Sequence, residues 1–286
     1  MTTASRVRPT DRTITIGGLR FHYLEWGKPG APLLVMLHGA LQTAHSWDEV
    51  ARVLAADYRI LALDQRGHGD SAWAPDGDYK MEAYQRDING FVEGLSLEPF
   101  ILIGLSMGGR NSIHYTATHP ERVRALVVVD IGPETMKEGR ENIRRFASDT
   151  EELDSVEAFV EQAHKFNPRR SLENLRERMK WNLKQLPNGK WTWKYDKVFR
   201  SAELERARGR VDLWPFVRRI QCPTILIRGA VSDVLSGDAA RKVVEAIPGC
   251  QYAVVEGAGH TVPGDNPDGF LAAVRPFLKG QKSKRA

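Results

Sequence analysis

Cysteine is nearly absent: Cys222 and Cys250 are the only two in 286 residues. Two cannot build a disulfide framework, and neither has a second Cys or a His at ligand spacing, so no structural metal site is expected. Both read as reduced, buried residues of a cytoplasmic protein. Long hydrophobic runs are missing as well. The longest are strand-sized, such as Leu33–Leu37 and Ala125–Val129, far short of the roughly 18–20 residues of a spanning helix, so no membrane partner is expected. Met1–Asp11 carries positive charge with no apolar segment behind it, which does not read as a secretory signal. Charge of one sign is not concentrated either. The formal net charge is +5, but Lys279, Lys282, Lys284 and Arg285 fall within the last eight residues. Elsewhere basic and acidic residues alternate, as in Arg176-Glu177-Arg178, the pattern of a solvated helix face. With no basic stripe interleaved with aromatics, nucleic acid is not an expected partner. Internal repeats and low-complexity tracts are also lacking.

What is present is an alternation of short β-branched runs and helical stretches. The runs Thr13–Ile16 and Leu19–Trp26 flank Gly17-Gly18, which reads as a hairpin. Leu33–Leu37, Tyr58–Leu63, Phe100–Gly104, Ala125–Asp130, Thr224–Gly229 and Tyr252–Val255 read as further strands, several of them continuously apolar, as in strands buried on both faces. Helical patterns at Trp47–Ala56, Ala83–Leu95 and Met107–His119 separate them. The expected class is α/β: a mostly parallel central sheet with an antiparallel N-terminal hairpin and helices on both faces. Between Pro133 and Pro215 the alternation stops, and the chain becomes helical, charged and aromatic with no strand-like run. Residues 1–132 and 216–286 are therefore expected to form the core and 133–215 an inserted helical lid. Trp181, Trp191, Trp193 and Trp214 all fall in that insertion and are expected to wall a pocket for an apolar acyl chain or ring. Lys and Arg nearly balance Asp and Glu there, so no selection for an anionic substrate is expected.

The chemistry is written in Gly104-Leu105-Ser106-Met107-Gly108. A G-x-S-x-G sequence between an apolar strand and a helix makes a sharp turn that lifts the serine Oγ above the carboxyl edge of the sheet. A serine hydroxyl needs a base. His260 is best placed among the eight histidines, since it follows the last strand through Gly257-Ala258-Gly259. His22, His114 and His119 read as structural or surface residues, His45 and His164 lack a motif, and His38 shapes the loop after its strand. The base needs an orienting carboxylate. Asp233, after strand Thr224–Gly229, is the expected acid because its strand adjoins the His260 strand in the inferred order. Asp130, ending the preceding strand, is the rival, with a turn or cap before Gly132-Pro133 as its alternative role.

In these residues the chain resembles the α/β-hydrolase fold family, in its lidded, esterase- and haloperoxidase-like branch. The resemblance rests on His38-Gly39-Ala40, on Asp64-Gln65-Arg66-Gly67-His68-Gly69-Asp70-Ser71, on the serine turn, on the Asp233 loop and on Gly257-Ala258-Gly259-His260, in that order. It implies an oxyanion hole made by the backbone N–H groups of Ala40 and Met107. The second also follows from Met107 being the residue after the serine at a helix start. His68 and the glycines beside it are expected to pack beneath the site. Relatives that open epoxides or displace halide carry aspartate at the turn, so Ser106 disfavours both. The expected activity is hydrolysis of a small carboxylic ester or lactone through an acyl-enzyme on Ser106, without metal or cofactor. Carbon–carbon bond hydrolysis and perhydrolysis use the same triad and remain alternatives, although the glycine-rich loop often seen in carbon–carbon hydrolases is missing after Gly39. A non-catalytic ligand receptor on the same fold is the alternative of another class.

Overall fold

The computed structural model describes residues 8–148, 151–201, 209 and 211–282. Part of the N-terminal segment, the basic residues Lys284 and Arg285, and 149–150, 202–208 and 210 of the expected lid lie outside the described residues.

The hairpin forms where expected. Strands β1 (Thr10–Ile16) and β2 (Leu19–Trp26) pair antiparallel, joined by Gly17 and Gly18 at φ +54° and +80°. That left-handed pair is what a two-residue hairpin turn requires. There follow β3 (Leu33–Leu37), a 3₁₀ turn (Ala44–Trp47), α1 (Asp48–Leu54), β4 (Arg59–Leu63), α2 (Met81–Gly94), β5 (Phe100–Leu105), α3 (Met107–Thr118) and β6 (Val123–Val129). After the insertion come β10 (Thr224–Gly229), α8 (Gly237–Ala246), β11 (Gln251–Val255), α9 (Val262–Asp265) and α10 (Pro267–Lys282). The eight strands lie in the order β1-β2-β4-β3-β5-β6-β10-β11, parallel from β4 onward.

Successive side chains of a strand face opposite ways, and the core divides accordingly. Leu34, Met36, Ile60, Ala62, Ile101 and Ile103 join one apolar layer with Trp47, Phe270 and Phe277. Val35, Leu37, Leu61, Leu63, Phe100 and Leu102 join the other with Phe91, Ile113 and Val243. The sheet is thus a slab with helices on both faces, and the loops that follow its parallel strands lie at its carboxyl edge.

The insertion runs between β6 and β10 as α4 (Lys137–Ser148), β7 (Glu152–Leu153), α5 (Val156–Phe166), α6 (Leu172–Asn182), β8 (Leu183–Gln185), β9 (Trp191–Trp193), a 3₁₀ turn (Lys197–Arg200) and α7 (Trp214–Val217). Ser155 and Ser171 cap α5 and α6, each Oγ accepting a backbone N–H three residues on. The expectation of no strand here was wrong. A three-stranded antiparallel sheet, β7-β9-β8, forms, with strands too short to show a period of two. The available signal was Asn188-Gly189, with Gly189 at φ +83°, between β8 and β9.

Candidate active site

Ser106 stands between β5 and α3 with φ +53° and ψ −114°, a conformation that costs an L-residue about 1–3 kcal/mol and persists only where the surroundings enforce it. The surroundings here are backbone. A Cβ on Gly104 would lie 2.4 Å from the Gly108 carbonyl oxygen, and one on Gly108 would lie 2.2 Å from that of Leu37. The two glycines let β5, the start of α3 and the end of β3 approach this closely. The Gly108 N–H donates to the His38 carbonyl at 3.1 Å, drawing the loop after β3 to the serine turn.

That loop is held from below. Gln65 donates from Nε2 to the His38 carbonyl at 2.7 Å, and its backbone N–H donates to His38 Nε2 at 3.0 Å. Nε2 is therefore an acceptor, which leaves the ring proton on Nδ1 facing the Gly39 carbonyl at 2.7 Å. Burial lowers the His38 pKa, in keeping with a neutral ring, so His38 has the loop-shaping place expected of it. His68 is wholly buried, with Nδ1 3.0 Å from the Arg66 carbonyl. Ala40 follows Gly39 in the loop after β3, and Met107 stands between Ser106 and Gly108. Their backbone N–H groups have no acceptor among the described residues, and Leu41 at φ +63° turns the loop away beyond them.

His260 lies between two partners. Nε2 is 2.8 Å from Ser106 Oγ, and Nδ1 is 2.8 Å from Asp130 Oδ2. The carboxylate beside the histidine is thus Asp130, and the expectation for Asp233 is corrected. Asp130 has φ +50°, which turns its wholly buried side chain under the next loop. There Oδ1 accepts the Gly229 N–H at 2.9 Å and Oδ2 accepts the Ser232 hydroxyl. Asp233 goes the other way: its Oδ2 accepts from Asn142 of α4 at 2.9 Å and its carbonyl accepts the Gly139 N–H. Adjacency of strands β10 and β11 suggested Asp233; the left-handed turn at Asp130 overrides it. Ser232, whose hydroxyl donates to Asp130 and accepts the Val234 and Leu235 N–H groups, carried no sequence signal.

The His260 loop is tied to the insertion. Asp265 accepts the Gly259 N–H at 3.0 Å and the Thr261 hydroxyl at 2.8 Å, together with Arg170 Nε and Asn167 Nδ2, each at 2.8 Å. Burial works against this carboxylate's charge, but Arg170 and these donors outweigh it and hold its pKa below the usual value.

The four tryptophans are not brought together. Trp193, 2% exposed, is at the centre of the insertion's own apolar cluster, with Trp191 at its margin. Trp181 is an exposed ring stacked on His45 at 3.8 Å, and Trp214 packs on the sheet layer that holds Phe91 and Ile113. Leu41 and Phe199 pack on the insertion cluster, and Phe199 and Met107 each pack against a small cluster of Ala74, Tyr79 and Tyr84. A tryptophan in an insertion equally serves the insertion's own core, as Trp193 does.

Cys222 and Cys250 are free and half-buried, and burial pushes both thiols up to about 11. One group among the described residues, His22, Asp64 and Asp70, brings possible metal-ligand atoms within 4.8 Å. Both Asp64 oxygens are already taken by backbone N–H groups, those of Ala44 and Asp70, so the cluster reads as a structural brace. Among the described residues no helix is long and apolar enough to cross a membrane.

Comparison with known proteins agrees with this architecture. A family model described as the alpha/beta hydrolase fold matches residues 32–267. The chain is 30% identical to an esterase of Mycobacterium tuberculosis over 89% of its own length and 85% of the relative's. It is 28% identical to a 2-(acetamidomethylene)succinate hydrolase of Mesorhizobium japonicum, over 93% and 94% of the two chains. The solved structure of an E-2-(acetamidomethylene)succinate hydrolase superposes with a TM-score of 0.87 at 26% identity, covering 95% of this chain and all of the other. An N-formylmaleamate deformylase of Pseudomonas putida is 29% identical over 93% of this chain and 95% of its own.

Proposed function

The chain belongs to the α/β-hydrolase fold family, and on that premise we propose that it is a serine hydrolase that cleaves carboxylic esters through an acyl-enzyme, with the segment 133–215 as its lid. One observation carries the reading: a single imidazole within 2.8 Å of both a strained serine hydroxyl and a buried carboxylate. Asp130 accepts the Nδ1 proton and so leaves Nε2 as the base. Ser106 Oγ attacks the ester carbonyl while its proton passes to Nε2, and the resulting oxyanion is received by the Ala40 and Met107 amides. The tetrahedral intermediate collapses as Nε2 returns the proton to the departing alkoxide. Water then repeats the sequence at the acyl-enzyme: Nε2 takes its proton, the hydroxide adds, and Ser106 leaves reprotonated.

The ester reading follows the esterase relative. The names of two other relatives specify N-acyl compounds, which supports amide hydrolysis as a second substrate class for the same three residues. A receptor without turnover is the reading that the intact Ser106–His260–Asp130 arrangement least favours.

The test combines labelling with kinetics. A fluorophosphonate is expected to add once, on Ser106 by peptide mass spectrometry, and to abolish hydrolysis of p-nitrophenyl acetate. Asp130→Asn is expected to lower kcat by about 10⁴, as aspartate-to-asparagine changes do in other triads, and Asp233→Asn by far less. Labelling elsewhere, or the reverse ranking of the two aspartates, contradicts the assignment.

A further inference from the structure

Two neighbouring residues of the loop after β10 turn to different partners. Asp233 goes to the insertion, its Oδ2 accepting from Asn142 and its carbonyl from the Gly139 N–H. Ser232 is buried, and its Oγ accepts the Val234 N–H at 3.1 Å and the Leu235 N–H at 3.2 Å. A hydroxyl has two acceptor sites and one proton. With both acceptor sites taken, the proton is left one direction, and it goes to Asp130 Oδ2. That is the oxygen 2.8 Å from His260 Nδ1.

The same loop grips the chain that leads into the histidine. The Ala230 N–H donates to the Val255 carbonyl at 3.0 Å and the Val231 N–H to the Ala258 carbonyl at 3.1 Å. A Cβ on Gly229 would lie 2.1 Å from the Gly259 carbonyl oxygen, so only a glycine lets the two backbones run this close. The Gly229 N–H also holds Asp130 Oδ1 at 2.9 Å. One turn, closed by the Ser232 N–H on the Gly229 carbonyl at 3.1 Å, thus holds the acid at both oxygens and the base through the residues before it. Of these contacts, the Ser232 hydroxyl is the one that a side chain of the turn supplies; the others are made by its backbone.

We infer that Ser232 is a positioning residue for the hydrolysis: its hydroxyl fixes the plane of the Asp130 carboxylate so that Oδ2 stays on the Nδ1–H of His260. The torsion that turns a carboxylate is soft and roughly two-fold, and the Gly229 N–H on Oδ1 alone leaves Oδ2 room to swing. A hydroxyl pinned by two backbone N–H groups removes that freedom before the reaction begins, and orientation set in advance lowers the barrier. The bond is charge-assisted and wholly buried at the Asp130 end, which places it among the stronger hydrogen bonds. The inference rests on Ser106 and His260 being nucleophile and base, and its test separates the two.

Hydrolysis of p-nitrophenyl acetate and the rate of fluorophosphonate labelling are compared in the wild type and in Ser232→Ala, and labelling also in the Asp130→Asn background. In Ser232→Ala kcat is expected to fall about tenfold to a hundredfold, the range of a hydrogen bond to a charged group, with KM little changed and labelling slowed likewise. In Asp130→Asn the further change Ser232→Ala is expected to slow labelling no more, because the carboxylate that the hydroxyl positions is gone. If Ser232→Ala does not fold, Ser232→Cys, which keeps the shape and donates only weakly, carries the same expectations. An unchanged kcat, a loss carried by KM, or the same proportional loss of labelling in both backgrounds overturns the role. If no ester is turned over and no fluorophosphonate adds to the wild type, the nucleophile reading has failed, and proton NMR alone decides. The low-field Nδ1 proton of His260, identified by its loss in His260→Gln, must then move upfield or disappear in the Ser232 variant as the bond to Oδ2 is made less of the time. A proton that stays in place, moves downfield or is missing from the wild type overturns the positioning role.

Discussion

Asp64, at the end of β4, braces the site without touching it. Its Oδ1 accepts the Ala44 N–H at 2.6 Å, and Oδ2 accepts the Asp70 N–H at 2.9 Å and faces His22 Nδ1 at 2.7 Å. The loop after β3, the turn after β4 and the N-terminal hairpin are tied to one buried carboxylate. Burial works to lower the His22 pKa, but the hydrogen bond and charge of Asp64 outweigh it and raise it above the ordinary value. Burial works to raise that of Asp64, but His22 and the donors around it hold it below the usual value. His22 thus contributes stability that is complete below its unfolded pKa, about 6.5, and is lost as pH rises through the higher folded value. Asp64 contributes stability that is complete above its unfolded pKa, about 3.9, and is lost as pH falls through the lower folded value. The stabilisation from the pair is therefore greatest between about pH 4 and 6.5. The melting temperature of the wild type is expected to exceed that of His22→Gln by a margin that shrinks from pH 6 to pH 9. A margin that is constant, or grows, over that range would show that His22 is neutral in the fold.

At the scale of elements, two polar seams join the insertion to the loops beside the site, in addition to the contacts of α4 with Asp233. In the first, α6 runs along the segment after the loop that carries Ala40: Asn174 donates to Glu49 at 2.6 Å, Arg178 to Ser46 at 3.0 Å, and Thr43 to Asn182 at 3.3 Å. Steps of four on the helix meet steps of three on the 3₁₀ turn and α1. The second is the buried Arg170–Asp265 pair, which also fixes the Gly259 N–H ahead of His260. Asp265→Ala leaves Arg170 buried without its partner and is expected to cost about 3–5 kcal/mol, read by denaturant unfolding, with a fall in kcat as His260 loses its support. A loss below about 1 kcal/mol would mean that water replaces the carboxylate. Neither seam was legible in the sequence, because both join polar residues more than 90 positions apart that carry no motif. Ser106, His260 and the two short loops at Ala40 and Met107 were legible because their chemistry needs particular residues beside particular strands. Asp130 was legible only as one of two candidates: chain order admits both, and the choice depends on a single backbone dihedral.

Across the described residues, the apolar side chains form one layer on each face of the sheet, a separate cluster inside the insertion and a small cluster of Ala74, Tyr79 and Tyr84. The sheet was readable from its apolar runs, since strands buried on both faces leave little latitude in composition. The insertion was readable only as an interruption, because its helices and its short sheet bury one another and follow no alternation. This division has a dynamic consequence. A body with its own core, joined to the rest through polar seams and a few side chains such as Leu41 and Phe199, is expected to open at a lower free energy than the sheet. By hydrogen exchange, peptides from 156–182 are expected to lose protection before those of β3, β5 and β6. Leu175, buried in the insertion cluster, provides the decisive variant. Leu175→Ala removes about 2–5 kcal/mol of packing. If the insertion opens by itself, that loss falls on peptides from 156–182 and leaves protection in β5 unchanged. If protection falls equally in β5, the insertion and the sheet unfold together, and access to Ser106 does not depend on separate motion of the insertion.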